Sequence, residues 1–330
     1  MWFNKAKQVE TNIMFEAVEM TDSGSEFIIA TTIFCLMFVL LLWQSSKKDD
    51  STKKQVASSA MLSFFLFGLK IEVKSANQGA MNVIEAVKAT YPGALDNSTL
   101  AKKVVPALEK YGYNKNNTLV ATSLCCDEVN RELEKEFAKV YGDNFSMGGL
   151  AGFPFCGKTS FGAMAHHIPE DGSCLIIYGP HVGIDFDGIV GKVNRRGLHG
   201  SGACCGSATA AAGYVKGVKS GAIKPFDVPQ STEDAQQVWV SNLLLPHADR
   251  LLSVKNEAAE LPSCLFKSQD EMMQKIVSAM CGEVAGVGKI ALLGGIQINT
   301  PEGVSDFFLP LKFEVKNNKG MTMENLLKSW

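Results

Sequence analysis

The sequence predicts an α/β domain with a mostly parallel sheet flanked by helices, preceded by a single N-terminal transmembrane helix. Near the N terminus, 20 consecutive residues carry no charge. From about residue 73, helical and strand patterns alternate, which is typical of a largely parallel sheet. The 330 residues, 46% hydrophobic and 20% charged, have a normal composition for a globular enzyme.

The uncharged stretch, FIIATTIFCLMFVLLLWQSS, covers residues 27–46. This length is what a helix needs to cross a bilayer, and Trp43 lies where interfacial aromatic residues are found. A cleaved signal peptide is disfavoured because residues 1–26 contain five acids and two lysines instead of a short basic start. A buried core helix is the alternative, but such a helix normally has a polar face, which this stretch lacks.

The charges around this stretch predict its orientation. Four lysines follow it and two precede it, which places the C-terminal part on the cytosolic or stromal side of a plastid or other organelle membrane. Three N-x-[ST] sequons favour the opposite topology, but such triplets are common by chance. The predicted organisation is a polar segment (1–26), a membrane anchor (27–46), a tether with a short apolar segment (47–72) and one domain (73–330).

Each element of that domain follows from a local pattern. Short apolar, β-rich runs predict strands at 117–126, 173–179 and 289–298. Apolar residues at helical spacing, together with polar capping residues, predict helices at 97–112, 127–142, from Gly206 onwards, at 231–254 and at 268–283.

Charge and cysteine content narrow the function classes. The formal net charge of -2 gives no basic field that would attract nucleic acid, so no nucleic-acid partner is expected. Nine cysteines, an odd number, occur in a chain too long to need disulfides for stability. We therefore expect a reducing compartment and free thiols that can bind a metal.

One motif suggests nucleotide binding. The segment Gly152–Thr159, GFPFCGKT, fits the pattern of a phosphate-binding loop. Such a loop follows a strand and leads directly into a helix. Here the preceding residues are only weakly strand-like, and the chain reaches Pro169 within ten positions of the motif. No apolar strand ends in a magnesium-binding Asp. A P-loop NTPase is therefore the least favoured function, and we expect the glycines to allow close backbone approach at a buried site.

Three doublets favour a metal instead. They are Cys125–Cys126, His166–His167 and Cys204–Cys205. Catalytic zinc sites take three protein ligands from Cys, His and carboxylate, and one member of each doublet would supply that set. Neighbouring side chains in an extended segment point in opposite directions, so the other members can pack away from the metal. Buried cysteines that act only as small apolar residues are the alternative.

The same residues carry a resemblance to a known family. The stretches TSLCCDEVNRE, GGLAGFPFCGKTSFGAMAHHIPEDG, IIYGPHVGID and ACCGSA resemble the limiting-CO2-inducible protein B family of algae, also described as theta-class carbonic anhydrases. The resemblance covers about residues 75–330 and excludes the predicted anchor. It implies a fold akin to the β-class carbonic anhydrases, a homodimer and Zn²⁺ held by Cys, His and Cys.

Carried over residue by residue, the resemblance implies Cys125, His167 and Cys205 as zinc ligands. It also implies Asp127 as a catalytic residue with Arg131, four positions later, as its ion-pair partner. The β-class pattern has the arginine two positions after the aspartate, but positions four apart share one face of a helix. A helix-start acid with a solvent-exposed partner is the alternative for these two residues.

The implied activity is the reversible hydration of CO2 to bicarbonate in inorganic-carbon handling. The alternative within the family is a catalytically silent zinc-binding member that serves a carbon-concentrating assembly as a structural or partner-binding component. His181, with Asp185 and Asp187, is close enough in sequence to act as a proton relay or to support the ligands. The glycines of that loop equally predict a tight turn, so His181 is not assigned a catalytic role.

Overall fold

The structure is a computed structural model that describes residues 77–226, 229 and 231–330. The chain divides into two units, of which the second, Gln78–Trp330, contains nearly all the described residues and is compact. The predicted anchor at 27–46 lies outside the described residues. Within them, no helix combines the length and the apolar character that a membrane crossing requires.

One eight-stranded mixed sheet organises the second unit, and most of its strand pairs are parallel. Its main path runs β1-β9-β8-β4-β2-β3; β10 pairs with β9 and β5 pairs with β8, while β6 and β7 form a separate hairpin. The strands are β1 (Leu95–Asp96), β2 (Thr118–Ser123), β3 (Asn144–Ser146), β4 (Ser173–Tyr178), β5 (His181–Gly183), β6 (Lys192–Asn194), β7 (Ser201–Ala203), β8 (Lys289–Asn299), β9 (Phe307–Asn317) and β10 (Thr322–Asn325).

Helices cover both faces of this sheet, as the sequence predicts. They are α1 (77–90), α2 (Asn97–Glu109), α3 (Arg131–Tyr141), α4 (Gly157–Ala165), α5 (Gly206–Lys219), α6 (Ala235–Leu244), α7 (Ala248–Leu252) and α8 (Glu257–Met280). Helices α2 and α3 bury their apolar faces against one side of β2, β4 and β8. Helices α4 and α8 pack against the other side. Because both faces are covered, β4 is buried along its whole length.

The predicted strands and the helix from Gly206 are confirmed, whereas three predicted helices differ from expectation and the other strands were not predicted. The predicted helix 127–142 begins as α3 only at Arg131, after a 3-10 turn at Glu128–Asn130. The predicted helix 231–254 is divided into α6 and α7 by a short 3-10 turn that contains Pro246. Helix α8 begins well before residue 268 because the Asn256 side chain caps the backbone N–H of Ala259 at 3.2 Å. Strand β9, not predicted, runs antiparallel to β8.

The direction of the strands determines where the functional residues lie. Strands β2, β4 and β8 are mutually parallel, so the segments that follow them share the carboxyl edge of the sheet. Strand β5 continues the line of β4 after Gly179 and Pro180, and it pairs with the last part of β8. Residues that follow β2 and β4 therefore meet at one edge.

The first part of the glycine-rich segment Gly152–Thr159, residues 152–154, is buried, whereas Cys156, Lys158 and Thr159 are exposed. The Ser123 hydroxyl donates to the carbonyl of Gly152 at 2.8 Å, and the Gln269 amide donates to the carbonyl of Ala151 at 2.7 Å. A side chain at Gly152 would overlap the carbonyl oxygen of Gly179. Helix α4 begins within the motif, contrary to our expectation. The close backbone approach predicted for its glycines is confirmed at Gly152 but not at Gly157, whose Cβ position has no atom within 4 Å.

Candidate metal centre

Three buried side chains bring metal-ligating atoms together at the carboxyl edge of the sheet. The ligating atoms of Cys125, His181 and Cys205 all lie within 4.8 Å of one another. Each residue is at most 4% exposed. Two sulfurs and one imidazole nitrogen in such an arrangement match the soft, four-coordinate preferences of zinc.

A different local feature positions each of the three ligands. Cys125 lies two residues beyond the end of β2, and His181 is the first residue of β5. Cys205 is the residue from which α5 begins, and its φ of 60° and ψ of 80° place it in the left-handed region. A non-glycine residue rarely adopts this conformation, which is often found at functional sites.

The protonation of the three groups is strongly perturbed in the metal-free protein. A close interaction with Cys205 lowers the pKa of the Cys125 thiol to about 4, against the effect of burial. The same interaction, with burial, raises the pKa of Cys205 well above its ordinary value. Burial lowers the pKa of His181, but interactions with cysteine sulfurs outweigh it and raise that pKa well above its usual range. A metal that binds here has to displace protons.

The His181 ring has one nitrogen in a hydrogen bond and one without a partner. Its Nδ1 lies 2.8 Å from the side-chain oxygen of Asn299. Its Nε2 is buried and has no hydrogen-bond partner among the described residues. A buried nitrogen calls for a partner, and one imidazole nitrogen with two cysteine sulfurs is a donor set that zinc takes, so these residues fit zinc.

A carboxylate held by an arginine lies beside this group. Asp127 Oδ2 is 3.9 Å from His181 Nε2. The Arg195 guanidinium donates to both oxygens of Asp127, at 2.8 and 2.9 Å, and also contacts Glu128. Burial raises the pKa of Asp127, but hydrogen bonds from Arg195 outweigh this and hold it well below its ordinary value. Asp127 is therefore ionised at neutral pH.

The structure does not bring His167 to the site, and this corrects the predicted ligand set. His167 follows α4, is exposed, and its ring contacts that of Phe145 edge-on at 5.4 Å. It precedes β4, so it belongs to the amino edge of the parallel strands, while Cys125 follows the carboxyl edge. The length of β4, at about 3.3 Å per residue, separates the two edges. His181 takes the place predicted for His167.

Arg131 is also misassigned as the partner of Asp127. Asp127 precedes a 3-10 turn, so the helical spacing of four residues does not apply. Arg131 instead donates to the backbone carbonyl of Cys125 at 2.6 Å and pairs with Glu134 at 2.8 Å. Arg195, in the loop between β6 and β7, holds Asp127, and no local spacing in the sequence indicates this long-range pair.

The other members of the cysteine doublets lie outside the three-residue group. Cys126 is exposed. Cys204 is buried, and its sulfur is 3.5 Å from His181 Nδ1 and 3.8 Å from the side-chain oxygen of Asn299. It therefore contacts the side of the imidazole that Asn299 occupies.

Comparisons with known proteins identify the family of this chain. The family model described as limiting CO2-inducible proteins B/C beta carbonic anhydrases matches residues 94–317. The chain belongs to this family. Cys125, Asp127, His181, Arg195 and Cys205 all lie within the matched range of the limiting CO2-inducible B/C family.

Two solved structures of this family extend the comparison. The crystal structure of PtLCIB4, a homolog of the limiting CO2-inducible protein LCIB, is 46% identical, with a TM-score of 0.70, and the match covers 73% of this chain and 99% of that one. The crystal structure of LCIB itself is 20% identical, with a TM-score of 0.55, and covers 71% and 95% of the two chains, which shows a shared fold. No curated protein matches the chain. The chain is thus a β-carbonic-anhydrase-like protein with a buried Cys-His-Cys group.

Proposed function

We propose that this protein is a zinc-dependent carbonic anhydrase that interconverts CO2 and bicarbonate. One observation carries the proposal: the buried group of Cys125, His181 and Cys205 lies beside a carboxylate, Asp127, whose two oxygens are both held by Arg195. This group would supply three protein ligands and leave a fourth position for water, as catalytic zinc sites do, with an ionised carboxylate beside it.

The residues at the site would have separate roles. Cys125, His181 and Cys205 would hold the ion, which as a Lewis acid lowers the pKa of water to about 7 when bound at such a site. Asp127 stays ionised and can accept a hydrogen bond from a water at the site. Arg195 fixes the orientation of that carboxylate through its bidentate contact. Burial of the three ligands limits competing solvent.

A catalytically silent zinc-binding protein, acting as a structural or partner-binding component of a carbon-concentrating assembly, is the second candidate. The observation in its favour is the 3.9 Å between Asp127 Oδ2 and His181 Nε2. At that distance a small movement of Asp127 away from Arg195 would add a fourth protein ligand, and the site would be closed to water.

Two measurements on the purified full-length protein test these proposals. Elemental analysis gives the zinc content per chain, and stopped-flow measurement gives the rate of CO2 hydration. The variants are Cys125→Ser and His181→Ala, with His167→Ala as the matched control that removes an imidazole outside the group. We expect one zinc per chain and hydration above buffer in the parent and in His167→Ala, and loss of both in the other two.

The outcomes separate the candidates. One zinc per chain without hydration supports the silent protein and contradicts the carbonic anhydrase. Absence of zinc, or loss of zinc in His167→Ala with retention in His181→Ala, contradicts the metal centre itself.

We also propose that residues 27–46 tether the protein to a membrane, on the basis of their uncharged, apolar sequence. The full-length protein should remain with the membrane fraction after alkaline carbonate extraction. Recovery in the supernatant would contradict the tether and would leave the proposed enzyme activity unaffected.

A further inference from the structure

The side chain of Asn299, the last residue of β8, makes four polar contacts, one of them with His181, although Asn299 has no place among the predicted ligands. Its side chain is 0% exposed. Its oxygen lies 2.8 Å from His181 Nδ1. Its amide nitrogen donates to the backbone carbonyl of Val129 at 2.9 Å and to Oδ2 of Asp306 at 3.3 Å.

The acceptors on the nitrogen side fix the orientation of this amide. A backbone carbonyl can only accept, so the amide group that faces Val129 must be the NH2. The Asp306 carboxyl, held by the backbone N–H of Thr300 at 2.8 Å and by its hydroxyl at 3.1 Å, supplies a second acceptor. If the amide were reversed, two acceptors would face its oxygen, at the cost of buried unsatisfied groups. The Asn299 oxygen therefore faces His181.

The amide orientation in turn fixes the tautomer of the imidazole. An oxygen at 2.8 Å requires Nδ1 to carry the proton, and only Nε2 is left to offer a lone pair. That nitrogen is the buried, unpartnered one that lies 3.9 Å from Asp127 Oδ2. The Cys204 thiol points to the same Asn299 oxygen at 3.8 Å, which accounts for its lying outside the three-residue group.

We propose that Asn299 is a positioning residue that selects the Nδ1–H tautomer of His181, so that Nε2 is the nitrogen presented to the metal. The proposal rests on the metal centre of the proposed function, but it does not require the protein to hydrate CO2. Hydrogen bonds to the second nitrogen of a ligating histidine commonly change metal affinity by about 10- to 100-fold.

Two variants and one control test the proposal in the full-length protein. Asn299→Leu removes the acceptor at similar volume. The double change Asn299→Asp with Asp306→Asn restores an acceptor for Nδ1 and an amide that can donate to it, but it leaves the Val129 carbonyl without its donor. The control, Gln269→Leu, removes an equally buried amide that bonds to the Ala151 carbonyl and does not contact His181.

The readouts are zinc affinity, from competition with a chromophoric chelator, and the tautomer of His181, from long-range 1H–15N correlation spectra. The chain has only five histidines, and His181 is assigned by the signal missing in His181→Gln. We expect the His181 proton on Nδ1 alone in the zinc-loaded parent. We also expect about 10- to 100-fold weaker zinc binding in Asn299→Leu, a smaller loss in the exchanged double variant, and parent-like affinity in the control.

Three results would overturn the proposal. They are a His181 proton on Nε2 in the zinc-loaded parent, unchanged zinc affinity in Asn299→Leu, and an equal loss of affinity in Gln269→Leu. Failure of CO2 hydration with the expected tautomer and affinities would overturn only the proposed activity.

Discussion

At the scale of single residues, Arg195 and Arg131 allow the sharpest test of the proposed activity. Arg195 donates to both oxygens of Asp127, whereas Arg131 contacts the Cys125 carbonyl and Glu134. We expect Arg195→Ala to lower kcat/KM for CO2 hydration by about 100-fold, the usual size of a lost acid–base contribution. Arg131→Ala should cost less than about 10-fold, measured by stopped flow at equal zinc loading. The opposite ranking would restore the sequence-based pairing.

His181 was not predicted as a ligand, although its position in the chain relative to β4 indicates that it lies at the same sheet edge as Cys125. His166–His167 is a conspicuous doublet, but it precedes the predicted strand at 173–179, and His181 follows that strand. The two edges of a parallel strand are distinguishable from the chain order alone. Applied to the histidines, this rule selects His181, because it follows the strand at 173–179 as Cys125 follows β2. No pattern in the sequence indicates the contact between Arg195 and Asp127, because it depends on the path of the β6–β7 loop.

Asp306 should make stability depend on pH in a predictable direction. Burial raises the pKa of Asp306 to about 6 from 3.8, nearby Glu132 adds to this, and hydrogen bonds from Thr300 and Asn299 oppose it. The folded protein therefore holds this proton more tightly than the unfolded chain, so this group's contribution to stability is lost as pH rises from about 4 to above 6.

The variant Asp306→Asn has no titratable group at this position, so its stability does not fall for this reason as the pH rises. Its free energy of unfolding relative to the parent should rise by up to about 3 kcal/mol between pH 4 and pH 7.5. Urea denaturation of the metal-free proteins measures this, with Asp249→Asn, an exposed carboxylate, expected to change by less than about 0.5 kcal/mol. A relative free energy that is flat or falls with pH would contradict the prediction.

At the scale of elements, the junction between β4 and β5 places His181, and a glycine makes it possible. A side chain at Gly179 would overlap the backbone carbonyl of Gly295. We expect Gly179→Ala to lower the free energy of unfolding by about 3 kcal/mol, because neither backbone can move without disturbing β8. Thermal or urea unfolding gives the measurement.

A second glycine provides the control for that prediction. Gly213 lies within α5, and no atom is close to the position that its Cβ would take. Gly213→Ala should be neutral or stabilise by up to about 1 kcal/mol through helix propensity. Equal destabilisation by both changes would contradict the steric explanation for Gly179.

Elements with strong local signals were predicted well, and those defined by tertiary pairing were not. Strand β4 is apolar throughout and was assigned almost to the residue. Strand β9 was missed because its side chains are mostly only partly buried and include Lys312, Glu314 and Lys316. Its assignment depends on antiparallel pairing with β8, which a local pattern does not contain.

At the scale of the whole molecule, the three proposed ligands tie together separate parts of the chain. Cys125 follows β2, His181 begins β5 and Cys205 precedes α5. Metal that binds only the folded state stabilises it by mass action, by about 4 kcal/mol when free zinc is about 1,000-fold above Kd. For a unit of this size, that corresponds to a rise in Tm of about 10 °C.

Differential scanning calorimetry with and without zinc tests this coupling. The parent and His167→Ala should show the rise in Tm, and Cys205→Ser should not. A zinc-dependent rise that persists in Cys205→Ser would place the ion elsewhere in the molecule.

Strand β8 connects the candidate site to the central sheet, since it pairs with β4 up to Gly294 and with β5 from Gln297 onwards. Shortening it by one residue between 295 and 299 would turn the amide at its end to the opposite face of the sheet. Every sulfur and the imidazole would still be present, but the imidazole would lose its acceptor. The length of β8 therefore determines where the Asn299 side chain lies relative to His181. A designer who transplants the three ligands to another scaffold would have to reproduce its span as well.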